Sequence, residues 1–156
     1  MKLCVDINFR DLQPIDLDDL GWTGGPAHQQ VLRESLEVSW KGDVELLVGE
    51  VNQLRLVACG GIDYRRDPVA GELWMLIVDD AWRGLGIGTR LIAELEERAR
   101  AKGLGWTRLA VEDDNPLARD LYERLGYREL TRKVTSWPSD DGSGVDVPVT
   151  IMMRSL

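Results

Sequence analysis

The chain has 156 residues, of which 44% are hydrophobic and 29% charged, the make-up of one globular domain over residues 1–156 rather than of a disordered chain. The net charge of −8 and the lack of any concentrated Lys/Arg run argue against nucleic acid as a main partner. The apolar stretches, such as Leu73–Val78, are too short to cross a bilayer, and Met1–Arg10 has no apolar signal-like segment, so no membrane partner is expected. Two separated cysteines, Cys4 and Cys59, suit reduced thiols in a cytoplasmic protein, and with His28 as the one histidine no metal site is expected.

In chain order, a β-branched and aromatic run predicts a strand at Leu3–Phe9, followed by a short helix at Ile15–Leu20. Pro26 opens a second helix, with Leu32, Leu36 and Trp40 repeating every four residues along its apolar face; His28 is read as a helix-surface residue. Strands at Val44–Val51 and Leu54–Tyr64 flank Asn52–Gln53, which reads as a tight hairpin turn. A strand at Glu72–Val78 leads to a helix from Gly86 to Lys102, carrying Ile87, Leu91, Leu95 and Ala99 inward and stopped by Gly103. After a strand at Trp106–Val111, Asn115 caps and Pro116 opens a helix that carries Leu117, Leu121 and Leu125 inward and ends at Gly126. Strands at Tyr127–Thr135 and Pro148–Met153 close the pattern, joined by Ser136–Pro148 as a long connection or flap. Antiparallel neighbours, one β-α-β crossover and a final hairpin predict a mixed α/β sheet covered by helices on both faces.

The segment with most chemistry runs from the Glu72–Val78 strand through Arg83-x-x-Gly86-x-Gly88 into an amphipathic helix. Glycines let a backbone approach a ligand closely, and the unpaired N–H groups of a helix's first turn attract anions, a diphosphate above all. A P-loop would need Gly-Lys-Ser/Thr, where this turn has Gly88-Thr89-Arg90. A dinucleotide fingerprint would need a third glycine, and further β-α-β units do not follow, although Glu112 could imitate its ribose-binding acid.

Leu76-Ile-Val-Asp-Asp-Ala-Trp-Arg-Gly-Leu-Gly-Ile-Gly88 and Asn115-Pro-Leu-Ala-Arg-Asp-Leu-Tyr-Glu-Arg-Leu-Gly-Tyr127 together resemble the pyrophosphate motif and following helix motif of the GNAT superfamily of N-acetyltransferases. Asp80 departs from the family, which often has proline there, a change expected to alter the loop alone. The resemblance implies a three-layer α/β/α fold with about seven largely antiparallel strands and two splayed parallel central strands that admit the pantetheine arm of acetyl-CoA. It implies that Leu76, Ile77 and Val78 meet that arm, with the Val78 N–H facing the thioester carbonyl. Arg83, Gly84, Leu85, Gly86, Ile87, Gly88 and Thr89 would hold the diphosphate, and Asn115 would reach the cofactor from its cap.

The same resemblance makes Tyr122 the general acid, since a phenol with a pKa near ~10 can protonate a departing thiolate. Glu72, placed like the glutamate base of the histone acetyltransferase branch, is the candidate base, with Glu112 and Asp113 acting through a water as alternatives. Strand alternation puts Glu72 on the face of Trp74, Leu76 and Val78. The reaction implied is direct transfer of acetyl to a primary amine, on a small molecule or a protein, in a ternary complex. Asp16, Asp18, Asp19, Asp140, Asp141 and Asp146 would form an acidic rim for a cationic acceptor, with Trp22 nearby. A homodimer, a catalytically silent acyl-CoA-binding or sensing domain, and a dinucleotide-binding domain are the alternatives left open.

Overall fold

A computed structural model describes residues 5–156. Seven strands form one sheet: β1 (Ile7–Asp11), β2 (Val44–Val51), β3 (Arg55–Asp63), β4 (Ala70–Val78), β5 (Trp106–Glu112), β6 (Arg128–Trp137) and β7 (Val145–Ser155). Their order across the sheet is β1-β2-β3-β4-β5-β7-β6, antiparallel except for β4 beside β5. The expected first strand shifts to Ile7–Asp11, and its proposed start at Leu3–Cys4 lies outside the described residues. The short helix predicted at Ile15–Leu20 is a 3-10 turn over Pro14–Asp19.

Three α-helices cover the sheet: α1 (Pro26–Ser39) on one face, α2 (Ile87–Ala101) and α3 (Pro116–Arg124) on the other. The stripe Ile87, Leu91, Leu95 and Ala99 of α2 is wholly buried against Leu73, Leu109 and Val111. Leu32 and Leu36 of α1 pack on Leu46, Val48 and Cys59 on the opposite face. Two predicted inward positions turn out. Trp40 is 76% exposed because α1 ends at Ser39 and Trp40 is only its C-cap, and Leu117, in the first turn of α3, is 81% exposed and faces an open depression outside that helix.

Asn52 and Gln53 take φ of 51° and 60°, and Leu54 N–H donates to Val51 O at 2.9 Å, the mirror-image turn that suits the twist of a hairpin. Nearly half of the stretch expected as a long flap is strand. β6 continues to Trp137 and β7 begins at Val145, pairing Ser136 with Asp146, so the connection shrinks to residues 138–144.

β4 and β5 are paired only from Ala70–Trp106 to Leu73–Leu109. Beyond that point the strands part. The cause lies in β4, where Met75 adopts φ 52° and an extra residue shifts the register against β3 between Cys59 and Gly61. A bulge of this kind bends its strand and breaks the ladder. Gly61 accommodates it: a Cβ there would overlap the Trp74 ring, which lies across the glycine.

Candidate active site

The bulge also reverses which face each β4 side chain takes. Leu73 packs with the α2 side, Trp74 and Met75 with the α1 side, and Leu76 and Val78 with the α2 side again. Two successive residues therefore point the same way, and strand alternation fails across them. Glu72 shares a face with Trp74 but not with Leu76 or Val78, contrary to the expectation from simple alternation. The same extra residue that opens the sheet puts the candidate base and the candidate cofactor strand on opposite sides of it.

A cavity of about 760 Å³ occupies the gap and is lined from both sides. From the α2/α3 side come Leu76, Asn115, Ala118 and Tyr122. From the α1 side come His28, Val31, Asp63, Glu72 and Trp74, and from β6 come Lys133, Thr135 and Trp137. A second depression of about 850 Å³, between α3 and Arg128–Glu129, touches none of the predicted site residues.

On the α2/α3 side the turn before α2 has the form expected of an anion site. Gly84 and Gly86 take φ of 77° and 80°, and the space beside both α-carbons is open. The first helical backbone bond is Arg90 N–H to Gly86 O at 3.2 Å, so the N–H groups of Ile87, Gly88 and Thr89 are left without a backbone acceptor among the described residues. The Ile87 side chain is core, so only its backbone faces outward. Arg83 is exposed, with Nε donating to Val78 O at 3.2 Å and the guanidinium 2.9 Å from Asp80. Asp80 thus does more than alter the loop: it holds an arginine of the turn.

Asp79 N–H donates to Val57 O at 2.8 Å. Along an antiparallel pair the next peptide points the other way, which turns the Val78 N–H toward the gap and that of Ile77 toward β3. Leu76 and Val78 are therefore the residues placed to meet an extended ligand, and Ile77 is not. Asn115 caps α3 as expected, its Oδ1 accepting from Ala118 N–H at 3.2 Å, and it lines the cavity.

Tyr122 is half-buried in the cavity wall, its ring edge-on to Tyr127 at 6.2 Å. Its hydroxyl has no hydrogen-bond partner among the described residues, and burial raises its pKa above the ordinary phenol value. Tyr127 is fully buried and fixed by Thr107 at 2.8 Å and by Glu96 at 3.3 Å, which braces the neighbouring ring. Glu72 lies between two guanidiniums, 3.7 Å from Arg66 and 3.6 Å from Arg108. Among the reserve bases, Glu112 lines the cavity, but Asp113 turns away to accept from the Thr150 hydroxyl at 3.0 Å.

The expected acidic rim is not assembled. Asp16 is buried in a bidentate pair with Arg10 at 2.7 and 2.9 Å, and the hydrogen bonds of that arginine hold its carboxyl below the usual range against the opposing effect of burial. Asp140 accepts from Ala27 N–H at 2.9 Å, tying the β6–β7 loop to the start of α1. Asp141 is held by Ser139 and Ser143, which lower its pKa to about 2, and Asp146 accepts from Ser136. No rim aspartate lines the cavity, nor does Trp22.

Sequence reasoning missed His28, Lys133 and Trp137. His28 sits four residues before Leu32 and eight before Leu36, so the core periodicity of α1 already pointed it inward. Burial lowers its pKa, and Nε2 is sealed from solvent without a partner among the described residues. Lys133, Thr135 and Trp137 alternate along β6 toward the cavity.

A sheet opened at a β4 bulge beside a glycine-rich helix start defines the acyltransferase architecture to which the sequence motifs pointed. The acetyltransferase (GNAT) family model matches residues 11–127, and the chain belongs to that family. It is 44% identical over 64 residues to a thialysine N-epsilon-acetyltransferase of Sus scrofa, covering 41% of this chain and 37% of that protein. It is 41% identical over 75 residues to a mycothiol acetyltransferase of Nocardiopsis dassonvillei, covering 48% of this chain and 22% of that protein. The match thus spans well under half the length of either relative.

The fold recurs in solved structures. A GNAT family acetyltransferase from Staphylococcus aureus Mu50 superposes with a TM-score of 0.77 at 19% identity, covering 97% of this chain and 99% of that one. A ribosomal-protein-alanine N-acetyltransferase from Brucella melitensis gives 0.73 at 20% identity, covering 96% and 99%. A GNAT family acetyltransferase from Elizabethkingia anophelis with acetyl-CoA bound gives 0.69 at 16% identity, covering 96% and 98%.

Proposed function

We propose that the chain is an acetyl-CoA-dependent N-acetyltransferase that moves acetyl to a primary amine by direct attack in a ternary complex. One observation carries the reading: a single cavity through the opened sheet is reached by Tyr122 from one face and by Glu72 from the other, and β4, which lines it, leads on to a helix start with free N–H groups. The open turn fits a diphosphate, and the outward Val78 peptide fits an extended amide-bearing arm. Acetyl-CoA supplies an activated thioester; the protein supplies placement and protons.

Arg83 and the N–H groups of Gly84–Thr89 hold the diphosphate, while Leu76 and Val78 align the arm along the unpaired edge of β4. The Val78 N–H stabilises negative charge growing on the thioester oxygen. The amine nitrogen bonds to the carbonyl carbon as the carbon–sulfur bond breaks. Glu72, on the acceptor side, takes a proton from the incoming ammonium. Tyr122, on the thiolate side, gives its proton to sulfur, and regains one from the acetylated nitrogen through solvent, so the cycle releases one proton overall. Cys59 takes no part: it is buried in the α1-side core, and that burial pushes its thiol up to about 12.

The test is release of CoA thiol from acetyl-CoA across a panel of primary amines, beside calorimetric binding of acetyl-CoA. Binding with release supports the reading. Binding without release by any amine points to a silent acyl-CoA sensor, and no binding sinks both.

A further inference from the structure

The acceptor half of the cavity carries both signs of charge, in an order fixed by the sheet. Glu112 of β5 and Lys133 of β6 are both paired in register with Val149 of β7. Residues in one register row point to one face, so the two side chains flank Val149 from strands about 10 Å apart, and both line the cavity. The neighbouring cations are already engaged: Arg66 with Asp63 and Glu72, and Arg108 with Asp67 and Glu72. Lys133 has no acidic partner within 4 Å among the described residues. The cavity lining also includes the apolar side chains Val31, Trp74, Met75, Trp137 and Ile151, with Thr135 and Ser136 between Lys133 and Trp137 along β6. A purely cationic acceptor would leave Lys133 as a like charge beside it, a cost that no rim aspartate offsets.

We propose that the acceptor is a zwitterion with an apolar body, a free amino acid bearing a large apolar side chain, and that Lys133 is the specificity residue that holds its carboxylate. Its ammonium group lies on the Glu72 and Glu112 side, and its side chain packs against Trp74 and Trp137. This rests on the proposed acetyl transfer. It differs from the acidic-rim expectation in placing a cation, not an acid, at the carboxylate beside the acceptor's reacting amine.

The experiment compares leucine, leucinamide and 3-methylbutylamine as acceptors, which share an apolar body and an amine but differ in the carboxylate. CoA-thiol release is followed for the native chain, Lys133→Gln and Lys133→Glu, with thermal unfolding confirming that each variant folds. The native chain should favour leucine over both others by tenfold or more in kcat/KM. Lys133→Gln should erase that preference by raising the KM for leucine and, with the like charge gone, lowering it for the two uncharged-end amines. Lys133→Glu should reverse it. A native chain that prefers leucinamide or the plain amine, or a leucine preference that survives Lys133→Gln, overturns the proposal and leaves acetyl transfer standing. So does turnover of other amines with none of these three. Failure to bind acetyl-CoA overturns the transfer reading itself, and this assignment with it.

Discussion

Glu72 and Tyr122 reach one cavity from opposite faces of the sheet. The relationship depends on the bulge at Met75, which opens β4 from β5 and changes the facing of every β4 side chain beyond it. On the proposed reading, proton removal and proton donation are separated by the sheet itself, with the thioester between them.

That separation predicts the behaviour of Glu72→Gln. Turnover with the best amine should fall on the order of 10²-fold, the usual loss for a general base. Acetyl-CoA affinity, set on the other face, should be unchanged by calorimetry. A variant with native turnover would move the base role to Glu112.

The turn before α2 predicts a loss of binding in Gly86→Val. Gly86 has φ 80°, so any side chain there is strained, by roughly 1–2 kcal/mol, and on the proposed reading would also meet the diphosphate. Gly103, at φ 80° past the other end of α2 with open space around it, is the control. Gly103→Ala should lose similar stability and keep acetyl-CoA affinity, whereas Gly86→Val should bind at least about tenfold more weakly. Equal affinities in the two folded proteins would remove the turn from the site.

Asp140 separates charge from architecture. Its carboxylate accepts a hydrogen bond from Ala27 N–H at the start of α1, a task an asparagine performs as well. Asp140→Asn should therefore leave the acceptor KM unchanged. Asp140→Ala should raise it and cost about 1 kcal/mol in denaturant unfolding. A raised KM in Asp140→Asn would instead restore the acidic rim as an attractor of cations.

Asp16 sets an acid limb of stability. Its folded-state pKa lies below the ordinary aspartate value because Arg10 bonds to the carboxylate. A carboxyl with a depressed folded pKa contributes stability that is fully present above its unfolded value near ~4 and is lost as pH falls through the lower, folded value. Denaturant unfolding should show Asp16→Asn weaker by about 2 kcal/mol at pH 7, with the difference shrinking below pH ~4. A gap that persists at low pH would assign the effect to packing.

The helices and the glycine turn were legible because their signals are local: Pro26 and Pro116 at first turns, Asn115 as a cap, Gly103 and Gly126 as stops. The strand pair that parts was legible only through family resemblance. A methionine at φ 52° carries no sequence mark, so the bulge and the face of Glu72 could not be read from alternation. The aspartates misled for a different reason. Charge counts do not reveal partners, and Asp16 and Asp140 are committed to Arg10 and to α1. His28 was readable in the period of Leu32 and Leu36. Lys133 was not, because its place depends on β6 and β5 both pairing with β7.

The most direct test of the proposed mechanism is the turnover of Tyr122→Phe, measured where chemistry limits the rate and across pH. The variant keeps the ring that packs on Tyr127 and removes only the donor. Burial holds the Tyr122 phenol above its ordinary value, so native activity should stay flat through neutral pH and decline only beyond ~10, where that group ionises. Tyr122→Phe should lose on the order of 10²-fold in kcat with acetyl-CoA affinity intact, and its alkaline limb should disappear. Native turnover in Tyr122→Phe, with the alkaline limb unmoved, would contradict the assignment and leave the tyrosine a packing residue.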